Sequence, residues 1–461
     1  MENKDILEKI KKIHFIGIGG SGMSPIAEIL HHKGFVVTGS DINESDTLER
    51  VRSWGVPVII GQKAENITDT DTELVVYSAA VKPENPELVA AQAKGIPTIE
   101  RSIMLGIVTQ QYRHVIAVAG THGKTTTTSM VTQIMTTGQK DPSAIIGGKL
   151  PFIGSNARVG NSDIMICEAC EYVDTFLQLT PTVSIILNVD GDHLEYFGSL
   201  ENIIKSFQRF ASKTTEALIV NGDDENVRKA IEGIPNLNVI TFGLEPSNDY
   251  SVTNIIDEPK ACEDFTLMYR GEKLTDIKLS VPGKHNILNA LAAAATAHYY
   301  GVNPEAIAKG LNEFTGVHRR FEQLGTFEGV AVADDFAHHP TELNATLTAA
   351  MNMGYQNVWA IFQPHTFSRT YLLLDDFAEA LRIPDHVVMT EILAVREVNT
   401  YGIQVQHLAD KIPGSCWFPS FEEISDYVMK QAQPGDLILT LGGGDIYKCA
   451  NLIVEKYKAR Q

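Results

Sequence analysis

Val115-Ile116-Ala117-Val118-Ala119-Gly120-Thr121-His122-Gly123-Lys124-Thr125-Thr126 is a β-branched run that passes straight into a glycine-rich turn and a threonine-rich helix start. That order of strand, loop and helix suits a triphosphate. Glycines let successive backbone N–H groups turn inward around phosphate oxygens, and the new helix presents its positive end to the same anion. Lys124 can reach the β- and γ-phosphates, and the Thr125 hydroxyl can bind magnesium. The general phosphate-loop pattern opens with a glycine where this chain has Val118, so the match is to a shorter form, Gly-Thr-x-Gly-Lys-Thr. The residues expected around ATP phosphates are Gly120, Thr121, His122, Gly123, Lys124, Thr125 and Thr126.

A magnesium–nucleotide site needs hard oxygen ligands near such a loop. Glu168 follows the strand candidate 164–167, and Asp190, Asp192 and His193 follow the strand candidate 183–187. In a parallel sheet, residues just past strand ends gather on one edge, so Glu168 and His193 are expected to converge on the metal with Thr125. A histidine is an unusual magnesium ligand, and a purely hydrogen-bonding role for His193 fits the sequence equally. A second glycine loop, Gly17-Ile18-Gly19-Gly20-Ser21-Gly22, follows the strand candidate 14–16, and Asp41 ends the next strand. The pattern is formally a dinucleotide fingerprint, open to a nicotinamide or flavin enzyme. A nucleotide-sugar diphosphate would rest on the helix after Gly22 as well as NAD would. A close helix–strand contact without a ligand gives the same pattern.

Short β-branched runs alternate with helical patterns along the 461 residues, the signature of α/β architecture. Three domains are expected: residues 1–112 (Rossmann-like), 113–317 (a central phosphate-loop ATPase domain), and 318–461 (Rossmann-like). Within the central one, 249–281 alternates polar and apolar residues as a small antiparallel insert would. Ile287–Tyr299 is alanine-rich and helical. Lysine plus arginine number 38 against 57 acidic residues, a net charge of −19, which disfavours nucleic acid and anionic lipid as partners. The charged start, Met1–Lys12, contains no apolar run suited to a signal peptide or membrane span. Cysteines at 167, 170, 262, 416 and 449 make no disulfide framework. Cys167 and Cys170 lack the second pair that a zinc site needs and read as strand-end residues. A cytoplasmic monomer or homodimer is the expectation.

Taken with their order and spacing, several segments resemble the Mur ligase family, enzymes that add amino acids to UDP-N-acetylmuramoyl precursors of peptidoglycan. They are residues 14–30, 119–130, 168–177 (EACEYVDTFL), 188–197 (NVDGDHLEYF), 282–293 (PGKHNILNALAA), 316–322 (GVHRRFE), 334–342 (DDFAHHPTE) and 442–446 (GGGDI). The resemblance covers nearly the whole chain and points to the members that use ATP to join L-alanine to UDP-N-acetylmuramate. It implies that Gly17, Gly19, Gly20, Ser21, Gly22 and Asp41 face the UDP-sugar, with no nicotinamide. It further implies that Thr125, Glu168 and His193 bind Mg2+, and that His285, Asn286 and Asn289 contact adenine. Asn286 and Asn289 are three apart and share a helix face. Arg319 or Arg320, together with Asp335, is expected to reach ATP.

The chain departs from the family pattern at three places. Cys170 stands where an aspartate is frequent. Thr366 follows Gln363-Pro364-His365 where an arginine is usual, which leaves Arg369 as the candidate grip for the amino-acid carboxylate. Gln208 occupies the place of a lysine that several relatives carbamylate, so no carbamate is expected.

The implied chemistry is attack of a lactyl carboxylate on the γ-phosphate, followed by attack of the amine on the acyl phosphate. The amine must be neutral, and His338 or His339 is the expected base. Other readings of the sequence are a ligase that recycles a whole tripeptide onto the same sugar and, from a different class, a nicotinamide oxidoreductase.

Overall fold

The structure, a computed structural model, describes residues 6–68, 70–235, 238–256, 264–395 and 397–460; Cys262 lies outside them. Five short apolar runs form the first sheet: β1 (Lys12–Ile16), β2 (Val36–Asp41), β3 (Val58–Ile60), β4 (Leu74–Tyr77) and β5 (Thr98–Glu100). Their spatial order is β3-β2-β1-β4-β5, and every pair is parallel. Chain order reverses at β1, and open parallel sheets form their ligand crevices at such reversals. The loop Gly17–Gly22 leaves the sheet there.

The phosphate loop follows β6 (His114–Ala119). After it come β7 (Ser143–Leu150), β8 (Ser155–Arg158), β9 (Ile164–Ala169), β10 (Val183–Ile186), β11 (Ala217–Asn221) and β12 (Asn238–Phe242). These strands stand in the order β8-β7-β9-β6-β10-β11-β12, parallel except for the β7–β8 hairpin. Since β6 lies between β9 and β10, the segments that leave those two strands flank the loop that leaves β6. β10 and β11 are buried along their whole length, as strands covered on both faces must be. The helix Lys124–Thr137 is threonine-rich yet buried. Thr128, Thr132 and Thr136 each donate their hydroxyl to the carbonyl four residues back, at 2.7–2.8 Å, so burial leaves these three hydroxyls satisfied.

β13 (Tyr250–Ile256), β14 (Asp264–Tyr269) and β15 (Glu272–Lys278) form an antiparallel meander, the insert expected in 249–281. The alanine-rich helix spans His285–Tyr299. The last strands are β16 (Glu322–Phe327), β17 (Val330–Asp335), β18 (Val358–Phe362), β19 (His386–Met389), β20 (Cys416–Trp417) and β21 (Leu437–Leu441). They run β16-β17-β21-β18-β19-β20, with β16 alone antiparallel to its neighbour. Alternate residues of β18 serve opposite faces. Val358, Ala360 and Phe362 pack with Leu343 and Leu347, while Trp359 and Ile361 pack with Ile424, Val428 and Ile453.

The chain falls into two compact units. Residues 1–190, 201–242 and 292–307 make the first, and residues 191–200, 243–291 and 308–461 the second. The sequence patterns had not indicated β3, β5, β7, β8, β16 or β20. β7 carries Gly147-Gly148-Lys149 in its second half, β8 reads Ser155-Asn156-Ala157-Arg158, and β16 is only half-buried, so none shows an apolar period. Among the described residues no helix is long and apolar enough to cross a membrane.

Candidate active site

The loop after β6 owes its shape to two glycines. Gly120 has φ +147 and lies so close to β10 that a Cβ there would sit 2.8 Å from Leu187 Cβ; Gly123 has φ +85. A side chain at either place would be strained. Asn188, just past β10, braces the loop. Its carbonyl accepts from Thr121 N at 3.1 Å, its Oδ1 accepts from His122 N at 2.8 Å, and its Nδ2 donates to His122 O at 3.1 Å. Asp190 N donates to the Thr121 hydroxyl at 2.9 Å, and His122 Nε2 lies 3.2 Å from Asp190 Oδ2. The backbone donors of Thr121 and His122 are thus committed within the protein. The N–H groups of Gly123, Lys124, Thr125 and Thr126 have no protein acceptor among the described residues and open the helix Lys124–Thr137. Within the stretch 120–126 expected from sequence, these four residues form the candidate anion cradle, while Thr121 and His122 direct their N–H groups to Asn188.

Lys124 Nζ folds back over the loop. It donates to Gly120 O at 2.6 Å, to Thr121 O at 2.9 Å, and to the Glu171 carboxylate at 2.9 and 3.2 Å. Burial alone would lower the lysine's pKa, but Glu171, together with Cys170 and Glu168, outweighs it, so the group is held above its usual value. Thr125 is buried in the first turn. Glu168, near the end of β9, accepts from Gly147 N at 2.5 Å. A Cβ at Gly147 would sit 2.6 Å from Glu168 Oε2, so only glycine admits the carboxylate there.

The first glycine loop is tied to its neighbours in the same way. Gly17 has φ +78 and donates to Ser40 O at 2.8 Å, and Gly19 N donates to Asp41 Oδ2 at 2.9 Å. Asp41 Oδ1 accepts from Ile42 N at 2.7 Å. The Asp41 carboxylate thus fastens the loop to the end of β2. Asn156 on β8 donates to Ser21 O at 2.8 Å and accepts from Arg50 Nη2 at 2.9 Å, so β8 holds the loop in place. The Arg101 side chain lies along Gly22, its Nη1 3.2 Å from where a Cβ would be. Arg101 sits at the start of a helix with no glycine pattern of its own, and sequence reasoning missed it.

In the second unit Arg369 Nη2 donates to Asp192 Oδ1 at 2.9 Å, with only 7% and 9% of the two side chains exposed. Burial works against the Asp192 charge, yet Arg369 and nearby histidines hold its carboxyl well below the usual range. Arg369 Nη1 also reaches His365 O at 3.0 Å. Burial pushes the His365 imidazole down to about 4, so the ring is neutral at pH 7. His193 caps the short helix Leu194–Phe197, with Nδ1 3.3 Å from Glu195 Oε1, which orients the ring through that nitrogen.

His338 and His339 differ in tautomer. His338 Nδ1 is 2.9 Å from Phe336 O and 3.2 Å from Glu342 Oε2, both acceptors, so the tautomer they favour has its proton on Nδ1 and its lone pair on Nε2. His339 Nδ1 accepts from Thr341 N at 3.3 Å, which places the proton of its neutral ring on Nε2.

Arg319 and Asp335 turn out to hold their own fold together. Arg319 donates to Asp334 at 2.9 Å, to Gly444 O at 2.8 Å and to Gly442 O at 2.7 Å, between the rings of Phe336 and Tyr447. Asp335 accepts from Phe321 N at 2.6 Å and from Ala337 N at 2.7 Å, and burial raises its carboxyl to about 6. Arg320, over the Phe336 ring, is the more available cation of the pair. Asn289 Nδ2 donates to Asn286 Oδ1 at 3.0 Å, so the two do share a face; His285, beside them, is exposed. Gln208 Nε2 donates to Glu232 O at 3.2 Å.

Family models cover most of the chain: the Mur ligase family catalytic domain matches residues 12–113, the Mur ligase middle domain 118–297, and the Mur ligase glutamate ligase domain 319–444. A relative from Agathobacter rectalis named UDP-N-acetylmuramate–L-alanine ligase is 46% identical over 96% of this chain and 98% of its own. The chain belongs to the Mur ligase family. A relative of the same name from Acetivibrio thermocellus is 44% identical over 99% of this chain and 98% of its own. The crystal structure of the UDP-N-acetylmuramate–alanine ligase of Thermotoga maritima matches with a TM-score of 0.83 at 30% identity, covering 98% of this chain and all of that one.

Among Mur ligase residues that sequence reading passed over, Asn188 and Glu171 stand closest to the phosphate loop. Their signal was position alone: each lies two residues past the end of a strand that neighbours β6.

Proposed function

We propose that this Mur ligase joins the lactyl carboxylate of UDP-N-acetylmuramate to the amino group of L-alanine in the cytoplasm, converting ATP to ADP and phosphate, as a step of peptidoglycan precursor synthesis. The observation that carries this is likeness along the whole chain to relatives bearing that name, 46% and 44% identical. The four unpartnered N–H groups at the head of the helix Lys124–Thr137 supply a place for the triphosphate.

On this reading residues 1–112 take the UDP-sugar, 113–317 take ATP and 318–461 take the amino acid. Gly17, Gly19, Gly20, Ser21 and Gly22 face the diphosphate, aided by Arg101. Asp41 acts through Gly19. Gly123–Thr126, with the Lys124 side chain, hold the ATP phosphates, His285, Asn286 and Asn289 the adenine, and Arg320 adds positive charge. Thr125 and Glu168 offer the hard oxygens that suit magnesium, and His193 is the further ligand that the family resemblance implies; Mg2+ held by them would neutralise phosphate charge.

The lactyl carboxylate attacks the γ-phosphorus, and the β–γ bridging oxygen leaves with ADP. Positioning and charge neutralisation carry this step. The amine of alanine then attacks the acyl carbon, the bond from that carbon to the phosphoryl-bearing oxygen breaks and inorganic phosphate leaves, and His338 Nε2 takes the amine's proton. Arg369, sharing its guanidinium with Asp192, holds the alanine carboxylate.

Phosphate release measured with ATP, Mg2+ and UDP-N-acetylmuramate tests the reading, with L-alanine, L-serine, glycine and the tripeptide L-Ala-γ-D-Glu-diaminopimelate supplied separately. Release that depends on L-alanine and on the sugar is expected. Release stimulated only by the tripeptide, or independent of the sugar, would overturn it.

A further inference from the structure

A lysine ammonium has three N–H donors, and every one of Lys124's has a protein acceptor. Two point at the carbonyls of its own loop, Gly120 O at 2.6 Å and Thr121 O at 2.9 Å, and the third at the Glu171 carboxylate. The Lys124 and Glu171 side chains are only 16% and 4% exposed. A phosphate oxygen can be received by Lys124 only if one of these acceptors gives way. Of the three, the carboxylate is the one that carries charge.

Glu171 is also held firmly. It begins a turn in which Val173 (φ +53) and Asp174 (φ +56) both take the left-handed conformation, uncommon for any side chain and more so for a β-branched one. Asp174 is anchored by the Ser206 hydroxyl and by Arg209 at 2.9 Å, Asp174 N donates to Glu171 O at 2.9 Å, and Phe176 N donates to Cys170 O at 2.9 Å. A strained turn persists where its surroundings over-determine it, and this one presents a buried carboxylate to the phosphate-loop lysine.

We propose that Glu171 is a positioning residue for Lys124, and that its carboxylate competes with the β- and γ-phosphates of ATP for the lysine ammonium. The inference rests on the reading of Gly123–Thr126 as the ATP phosphate cradle. Its physical content is that Glu171 holds the Lys124 ammonium over the loop, at a cost in nucleotide affinity. As the γ-phosphoryl group leaves and the nucleotide's charge falls, Glu171 regains the lysine and ADP is released more readily.

The test is isothermal titration of the full chain with ATP and, separately, with AMP, whose single phosphate lies beyond the part that Lys124 reaches. Glu171→Gln keeps the shape and removes the charge. It should tighten ATP binding about tenfold, the scale on which a buried like charge opposes an anion, and leave AMP binding unchanged. Glu171→Asp draws the carboxylate back and should tighten ATP binding by a smaller factor, which keeps the test open if Glu171→Gln folds poorly. In steady state Glu171→Gln should lower both KM for ATP and kcat, since ADP leaves more slowly; loss of structure would raise KM. ATP binding equal to or weaker than wild type in both variants, with Lys124→Ala binding ATP poorly, would overturn the role of Glu171 and leave the phosphate cradle standing. Unchanged ATP affinity in Lys124→Ala would remove the cradle and this proposal with it.

Discussion

Replacing Arg369 with alanine should destabilise the protein and not only weaken its hold on the amino acid. Asp192 and Arg369 are in contact at 2.9 Å and nearly buried, so truncating the arginine leaves a carboxylate without its partner. Breaking a buried pair from one side costs about 3–5 kcal/mol. Asp192 keeps the His193 N–H at 2.7 Å, which favours the lower end of that range, while the lost bond to His365 O adds a little back. About 3 kcal/mol is therefore the expected loss at pH 7. The double variant Asp192→Ala/Arg369→Ala leaves no orphan charge and should recover about 1–2 kcal/mol over the single one. In the wild type the Asp192 carboxyl is held below its ordinary 3.8, so its contribution is present above that pH and lost only as pH falls through the lower folded value. In Arg369→Ala burial is opposed only by the neighbouring histidines and the carboxyl rises from its wild-type value, so the deficit should shrink on acidification from pH 7 towards pH 5. Urea unfolding followed by tryptophan fluorescence suits the question, since Trp359 and Trp417 both lie in the second unit. A single variant within about 1 kcal/mol of wild type, or no more stable than that when the charge of Asp192 is also removed, would refute the reasoning.

Glu28, on the helix Ser24–His32, has its carboxyl raised by burial from 4.5 to about 7 against the pull of Arg50. The folded chain thus keeps a proton that the unfolded chain gives up above pH 4.5, and stability falls as pH rises through 7. A difference of 7 − 4.5 corresponds to roughly 3.4 kcal/mol at most, or about 1–2 kcal/mol after allowing for partial exposure. Glu28→Gln should raise Tm at pH 8 and not at pH 4.5; an equal rise at both would contradict it. His338→Gln should lower kcat about a hundredfold and flatten the acid side of its pH profile, with KM for the UDP-sugar little changed. A profile that keeps its acid limb would place the base elsewhere.

The parts of this molecule legible in its sequence are those governed by neighbours along the chain. The turn at Gly120–Gly123, the threonine helix and the Asn286–Asn289 pair follow from local chemistry, and each is present. So are the central strands, whose unbroken Val/Ile runs suit burial on both faces. β7 and β8 escaped notice because their residues are chosen for what they touch: Gly147 makes room for Glu168, and Asn156 holds Ser21. Partners distant in sequence were equally hidden. Lys124 and Glu171 are 47 residues apart and Asp192 and Arg369 are 177 apart, and no local pattern links them. The resemblance offered Arg319 or Arg320 as an ATP contact without distinguishing them, and only the structure shows that the Arg319 guanidinium meets Asp334 and two glycine carbonyls.

The decisive observation concerns where one oxygen goes. UDP-N-acetylmuramate labelled with 18O in both lactyl carboxylate oxygens, turned over with ATP and L-alanine, should yield inorganic phosphate carrying one 18O, since the carboxylate oxygen bonded to phosphorus departs with it when the amine attacks. Phosphate free of label, or label recovered in AMP, would show that the carboxylate is never joined to the γ-phosphoryl group that the loop at Gly123–Thr126 is held to position.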